Sequence, residues 1–501
     1  MREAPLGNWS MSARSWLWIC WFALAFGAMN VYGPSEVEYS PPGDQPLSVD
    51  QRPQHRTTLG GILYVQREGE DVDLYFSYAN ALLGRPFVAK YVRLTDEGKS
   101  AAEKVAADVV LPTRPLWPWR DFLVEYPPAM LVPALIPALW TSNVDVYFLL
   151  FSLEMEAMLT FAVFLAVSTA DALTPGSGRR AIAQCILLTA ALGGVAVRRY
   201  DPCVALAIVA AIHGMTTRRP ILAGVSLAIG VALKFVPLLM TPIVFLWYAA
   251  RRDWRGLRFC AGAAALCLSA TGLTYVVIAG PRSLDLFAYH ADRPLQLETT
   301  YGAVLMLLKQ IFPGVLSPKY SFGSYNVVSS AEPLLRHGAE FLEIGAILVI
   351  YSIAYRRIRD AVDDRSRIIA VVFATSACLV AFMTLGKVFS AQYPTWLVPL
   401  GAVASASSAG GARWRLAIAN AFTQLEYTSL EECMAQYFAG ASYGLMMSVL
   451  GLLIVGRTFA LWRWVFKLFA DPVILLPTPA GPATADVRQA SQRESAAGHT
   501  V

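Results

Sequence analysis

The residue types best suited to chemistry fall in one polar stretch, Gly69-Glu70-Asp71-Val72-Asp73-Leu74-Tyr75. Asp71 and Asp73 put two carboxylates two residues apart, where a long polar loop returns toward apolar chain. The loop closes with Asp121-Phe122-Leu123-Val124-Glu125-Tyr126-Pro127-Pro128. A hydroxyl is a weak nucleophile at neutral pH, so transfer of a group to it needs a carboxylate within hydrogen-bond reach. Basic side chains must then stabilise a departing phosphate. Lysine and arginine can do this without a metal. The Asp71-Val72-Asp73 spelling has the form DxD, but the tripeptide alone does not define a nucleotide-sugar site, and no soluble fold accompanies it.

The chain that must position these groups has 501 residues, 56% hydrophobic and 15% charged. That charge share is well below the roughly 25% of a soluble domain. Leu- and Ala-rich runs recur along it, which predicts an all-α polytopic membrane protein of about eleven to thirteen spans with a long first extracytoplasmic loop. The net charge of +5 is small, and Arg and Lys gather in short loops as the positive-inside pattern requires. No basic tract carries interleaved aromatics, which argues against nucleic acid as a partner. The cysteines lie in or beside apolar runs, without CxxC spacing and outside the polar loop, so neither a disulfide framework nor a metal site is expected.

Four parts follow. Residues 1–33 hold the N-terminus and a first span at 15–33. Residues 34–126 form an extracytoplasmic loop with the acids and short interfacial helices. Residues 127–465 make a multi-span core, and 466–501 a disordered cytoplasmic tail rich in Pro, Ala, Ser and Gln. Apolar and aromatic residues at helical spacing predict a helix over 71–83, stopped by Gly84. The segment 127–140 reads as a kinked or partial span. The run 221–250 is long for one span and is broken by Lys234 and Pro237, which predicts a hairpin of two short helices. Segments near 301–313 and 416–425 are weaker.

With basic loops inward, Arg199, Lys234, His290 and Lys387 fall on the outer side with loop 34–126. Ionisable groups at membrane depth are expensive, so each is a functional candidate. Lys234, beside Phe235, suits a phosphate contact as a compact point charge, although a snorkelling lysine would look the same. Arg199 with Tyr200 and Asp201 is similar. His290, Asp292, Arg293, Gln296 and Glu298 crowd one short loop, as do Lys387, Gln392 and Tyr393 in another; a solvated loop is the plain alternative for both. Glu154, Glu156 and the acidic segment 424–432 receive no role.

These motifs resemble the polytopic glycosyltransferases of the GT-C superfamily, specifically glycosyltransferase family 87. The matching pieces are Asp71-Val72-Asp73-Leu74-Tyr75 with Gly84-Arg85-Pro86, Arg120-Asp121-Phe122-Leu123-Val124-Glu125-Tyr126-Pro127-Pro128, Arg199-Tyr200-Asp201, Lys234-Phe235-Val236-Pro237, Tyr289-His290-Ala291-Asp292-Arg293 with Gln296 and Glu298, and Lys387-Val388-Phe389-Ser390-Ala391-Gln392-Tyr393. Each is short, and their order carries the likeness. The resemblance implies an integral enzyme of the plasma (inner) membrane, its site facing the extracytoplasmic side. It would move a hexose, mannose foremost, from a polyprenyl-phosphate sugar to a lipid or glycan hydroxyl, with inversion, no cofactor and no metal. By resemblance Asp71 is the base, with Asp73 the alternative, and His290 a functional loop histidine. Arg199, Lys234, Lys387 and Arg293 would contact the donor phosphate or lipid headgroup. Tyr75, Glu125, Tyr126, Asp201, Gln296, Glu298, Gln392 and Tyr393 would line the substrate site. Residues 88–118 are an insertion relative to the family and would reshape the acceptor entrance. The competing reading is a transporter or flippase of lipid-linked saccharides, which would call for paired interrupted helices in two related halves. One interrupted hairpin is evident and no internal repeat.

Overall fold

The computed structural model describes residues 70–105, 108–407, 413–440 and 444–470. The expected first span and nearly all of the expected tail lie outside these residues. Helix α1 (Glu70–Leu82) opens the described chain. Its acidic first turn suits the positive end of the helix dipole, and Gly84, at φ +70°, ends it in a conformation a side chain would resist. Val72, Tyr75, Tyr78 and Ala79 are buried along one side, the helical spacing expected of an amphipathic element.

The loop beyond α1 departs from expectation. The sequence predicts an extended stretch with short helices, whereas β1 (Phe87–Val88), α2 (Asp96–Ser100), β2 (Ala102–Lys104) and β3 (Val109–Pro112) make a small module. Its sheet has the order β1–β3–β2, antiparallel throughout, with Phe87 opposite Val110 and Ala102 opposite Pro112. Four residues such as Val109-Val110-Leu111-Pro112 are too few to declare a period, and their β-branched side chains fit a half-buried strand. Asp121 ties the module together. Its carboxylate takes Arg114 Nη1 at 2.6 Å, Arg114 Nη2 at 3.1 Å and the Trp117 amide at 2.8 Å. Its carbonyl accepts from the Thr95 amide at 2.9 Å. Burial alone would raise the Asp121 carboxyl, but Arg114, the Trp117 amide and Arg120 outweigh it and hold it below the usual carboxylate range.

The core continues with α3 (Leu131–Ala138), α4 (Val144–Leu173), α5 (Gly178–Leu192), α6 (Asp201–Thr216), α7 (Pro220–Leu233), α8 (Thr241–Ala250) and α9 (Trp254–Ala279). A loop helix α10 (Asp285–Asp292) and the short α11 (Thr300–Leu308) precede a hairpin of β4 (Ser317–Ser321) and β5 (Ser324–Val328). Then come α12 (Glu332–Asp360), α13 (Asp364–Leu385), α14 (Leu397–Ser407), α15 (Arg413–Phe438) and α16 (Gly444–Phe469). Among the described residues six helices are long and apolar enough to cross a membrane, and four shorter apolar helices accompany them. Helix α13 is the central one, 89% buried over its most apolar stretch, whereas α9 is 6% buried and turns its apolar surface outward.

Three expectations can be read against these elements. The 221–250 hairpin is present: α7 ends at Lys234, whose extended backbone (φ −159°, ψ 134°) breaks the helix before a 3₁₀ turn and α8. The weak segment near 416–425 is instead the interior of α15, which packs along α16 through the acidic stretch 424–432. Helix α16 runs on to Phe469, past the expected edge of the core.

Gly98 meets the carbonyl of Asp121 so closely that an added Cβ would lie 1.9 Å from that oxygen. Gly98→Ala should therefore loosen the outer module, at a cost of about 1–3 kcal/mol. Limited proteolysis should cut that variant, and not the wild type, between residues 84 and 122.

Candidate active site

The site gathers where α1, the 125–126 loop, the α5–α6 turn, the α7–α8 break and the loops at 289–298 and 387–396 meet. Its groups are ordered as acid–base pairs. Asp71, on the first turn of α1, forms an ion pair with Arg199 Nε, and both side chains are largely buried. Asp201, the first residue of α6, accepts from Lys234 Nζ at 2.9 Å and from the Trp396 indole at 2.6 Å. Glu125 lies near Arg293 and beside Tyr289, whose hydroxyl donates to the Phe322 carbonyl at 3.1 Å. A helix puts residues two apart on opposite sides, so Asp73 turns away from Asp71, and its carboxylate accepts from Tyr91 of the outer module at 3.3 Å.

Aromatic rings wall the pairs. Tyr75, Tyr126 and Tyr200 meet edge to face with centroids 5.4–6.1 Å apart. Tyr75 follows Asp71 by four residues, the spacing that stacks side chains on one face. Lys234 Nζ stands 4.7 Å from the Tyr393 ring, 5.0 Å from Trp396 and 5.2 Å from Tyr200. An ammonium so placed is held by the ring quadrupoles as well as by Asp201. Lys234 is thus a clamped residue, with three rings and a carboxylate about its charge.

The electrostatics follow from burial. Burial works against the Arg199 charge, and Asp71, with Tyr427, Tyr75 and Tyr126, more than offsets it and keeps the guanidinium protonated. Burial raises the Glu125 carboxyl, and this outweighs Tyr289, Arg293 and Tyr126. His290 donates to the backbone of Glu125; burial, then Arg293, Lys234 and Lys387, bring its pKa down to about 4, so the ring is neutral near pH 7. Arg293 donates to Ser324 Oγ at 3.3 Å, while its buried Nε has no partner.

The remaining predicted residues support the loops. Gln296 joins the two loops through its amide, 3.0 Å from the Lys387 carbonyl, and its side chain bonds Glu298. Burial and the nearby Glu426 push the Glu298 carboxyl up. Lys387 is engaged by Glu340 at 3.0 Å and by the Ala291 carbonyl at 3.0 Å, at the rim of the site. Gln392 accepts from Ser390 at 2.6 Å, and Tyr393 stacks on Trp396 with centroids 4.6 Å apart.

Three residues were missed by sequence reasoning. Arg457 in α16 pairs with Glu426 in α15, donates to the Glu298 carbonyl at 2.7 Å and lies 3.4 Å from the Phe389 ring centroid. Trp396 holds Asp201 and Lys234 together. An arginine inside the last apolar run and the unexplained acids at 424–432 were the available signals for the first two. An indole in an apolar run gives none. Among the described residues no group of three or more His, Cys, Asp or Glu could hold a metal ion. Beside the site, Leu82, Leu116, Trp117, Trp119, Leu131 and Ile278 line an apolar groove of about 250 Å³ between the outer module and α9.

Residues 122–317 match the model of glycosyltransferase family 87, the family that the sequence motifs resemble. Over this region, about two fifths of its length, the chain is similar to family 87. The family 87 region holds Glu125, Arg199, Asp201, Lys234, His290, Arg293, Gln296 and Glu298; Asp71, Asp73, Lys387 and Tyr393 lie outside it. Among curated proteins none matches the chain. The long apolar helices make the chain a membrane protein.

Removing one partner of a buried pair leaves the other charge uncompensated, at about 3–5 kcal/mol. Asp201→Ala should lower stability by about that amount, while Asp201→Leu combined with Lys234→Met should cost much less, as read by denaturant unfolding in detergent. His290 gives a second expectation. Its folded-state value, about 4, lies below the ordinary 6.5, so the unfolded chain takes up the proton first as pH falls. The contribution of the neutral ring is complete above about pH 6.5 and is lost from there down to about 4. Melting curves between about pH 7.5 and 4.5 should fall more steeply for wild type than for His290→Gln.

Proposed function

We propose that the chain is a glycosyltransferase of the family 87 kind, which moves a hexose, mannose foremost, from a polyprenyl-phosphate sugar to a hydroxyl of a lipid or glycan, with inversion and without a metal. The carrying observation is the Asp71–Arg199 pair at the head of a charge-balanced aromatic site. Asp71 takes the proton of the acceptor hydroxyl as it attacks the anomeric carbon. Arg199 holds the carboxylate in place. A carboxylate is a competent general base only when oriented toward its proton, and the ion pair supplies that orientation.

The leaving phosphate needs donors whose charge is already protected from water. Arg293 suits this best: it is half-buried, stays charged beside Tyr393, Tyr289 and Glu125, and has a buried Nε without a partner. Lys234 and Lys387 contribute field more than contact, since Asp201 with three rings surrounds one and Glu340 engages the other. His290, neutral, orients the phosphate or the sugar through a hydrogen bond. The site lies on the outer side of the plasma membrane by the distribution of basic loops, and the groove beside it suits a lipid chain. Asp71 is preferred to Asp73 because it shares its face of α1 with Tyr75 and meets Arg199, while Asp73 meets Tyr91.

The test uses full-length protein in lipid nanodiscs, radiolabelled polyprenyl-phosphate-mannose, a crude lipid and glycan acceptor pool, and EDTA. Wild type should form a labelled product. Asp71→Asn should lower that rate by about 10²–10⁴-fold with donor binding retained. Full activity in Asp71→Asn would pass the role to Asp73. Label crossing sealed vesicles with no product would replace transfer with transport.

A further inference from the structure

The turn of the β4–β5 hairpin joins strands paired from Ser317 opposite Val328 to Ser321 opposite Ser324, so its loop is Phe322-Gly323 alone. Phe322 has φ +54° and Gly323 φ +67°. Two positive values mark a type I′ turn, where Asn-Gly and Gly-Gly are favoured because their side chains tolerate it. Phenylalanine does not: its Cβ crowds the backbone in this region. Gly323 relieves the second position and nothing relieves the first.

The hairpin does not need this ring to close. Asn326, 2% exposed, donates from Nδ2 to the Ser321 hydroxyl at 3.1 Å and to the Ser324 carbonyl at 3.0 Å. The strand ladder and the link from the Val327 amide to the Leu295 carbonyl at 2.8 Å complete its anchoring. The hydrogen bond that reaches the turn, from the Tyr289 hydroxyl at 3.1 Å, ends on the Phe322 carbonyl, which any residue would supply. The part that only this residue provides is the ring. That ring lies 5.2 Å from the ring of Tyr289 and is inclined to it by 53°; Tyr289 lies beside Glu125 and stands edge to face with His290 at 5.5 Å.

From this geometry we infer that Phe322 is a specificity-determining residue, whose ring forms with Tyr289 an aromatic platform for the C–H face of a pyranose on the acceptor. The assignment to the acceptor follows from position. Tyr289 lies beside Glu125, which is near enough to Asp71, the base for the acceptor hydroxyl, to feel its charge. Backbone strain kept at such a site marks a side chain retained for contact. The inference rests on the transferase reading of the site above.

The experiment compares wild type, Phe322→Asn and Phe322→Trp as full-length protein in nanodiscs, with octyl α-mannoside as the acceptor probe. Melting temperature is measured with and without the probe, and transfer from labelled donor is followed against probe concentration. Phe322→Asn creates the favoured Asn-Gly turn, so it should melt at or above wild type. It should lose the probe-induced rise in melting temperature, and its acceptor KM should rise roughly tenfold with kcat little changed, the size of one lost aromatic contact. Phe322→Trp should keep both properties. Equal KM values and equal probe-induced rises in wild type and Phe322→Asn would overturn the proposal. So would a Phe322→Asn melt well below wild type, which would make the ring a strut for the hairpin. A probe-induced rise lost in Phe322→Asn, in a protein that transfers no label, would keep the sugar platform and remove the transferase reading.

Discussion

Everything in this molecule depends on the cost of taking charge out of water. A lone buried carboxylate or ammonium would change its protonation or pull its segment toward solvent. The chain avoids both outcomes by pairing: Asp71 with Arg199, Asp201 with Lys234, Glu125 near Arg293, Glu426 with Arg457. The partners of each pair come from different elements, so each pair is also a constraint on packing. Helix α1 is fixed to the α5–α6 turn, α6 to the α7–α8 break, and α15 to α16. The fold and the electrostatics of the site are one arrangement seen at two scales.

The break at Lys234 illustrates the link from backbone to chemistry. Helix α7 stops where the ammonium must reach Asp201, and Pro237 lies in the 3₁₀ turn that follows. A proline lacks the amide that would continue the hydrogen-bond ladder. The aromatic rings around the ammonium fill the space that water would otherwise occupy. They keep the local dielectric low, so the neighbouring pairs act at close to full strength. Trp396 serves both ends, through its indole N–H to Asp201 and its ring face to Lys234.

The outer module and the β4–β5 hairpin both touch the elements that carry this charged centre, through Tyr91 on Asp73 and Phe322 on Tyr289. Both are short-stranded and held by one buried polar residue each, Asp121 in the module and Asn326 in the hairpin. Such devices fix irregular backbone with few residues, because one side chain satisfies several backbone or guanidinium donors and acceptors at once. They frame the approach to the site without belonging to the helical core.

The sequence by itself determined the class of molecule: a polytopic helical bundle, a helix starting at the acids and stopped by Gly84, an interrupted hairpin at Lys234, and an ordered set of polar motifs resembling family 87. These were legible because apolar length, helical period and an isolated charge in an apolar run are local properties of a chain. Tertiary structure alone decided which charge meets which. Arg199 and Asp71 are far apart in sequence, as are Arg457 and Glu298, and no local pattern encodes such a pairing. It likewise decided that Lys387 would be engaged by Glu340, that Asp73 would face the outer module, and that Glu426 would be drawn inward to Arg457 by the need to neutralise a buried guanidinium. The short strands stayed hidden for a related reason: four residues carry too little periodicity to announce a sheet, and only their partners make them one.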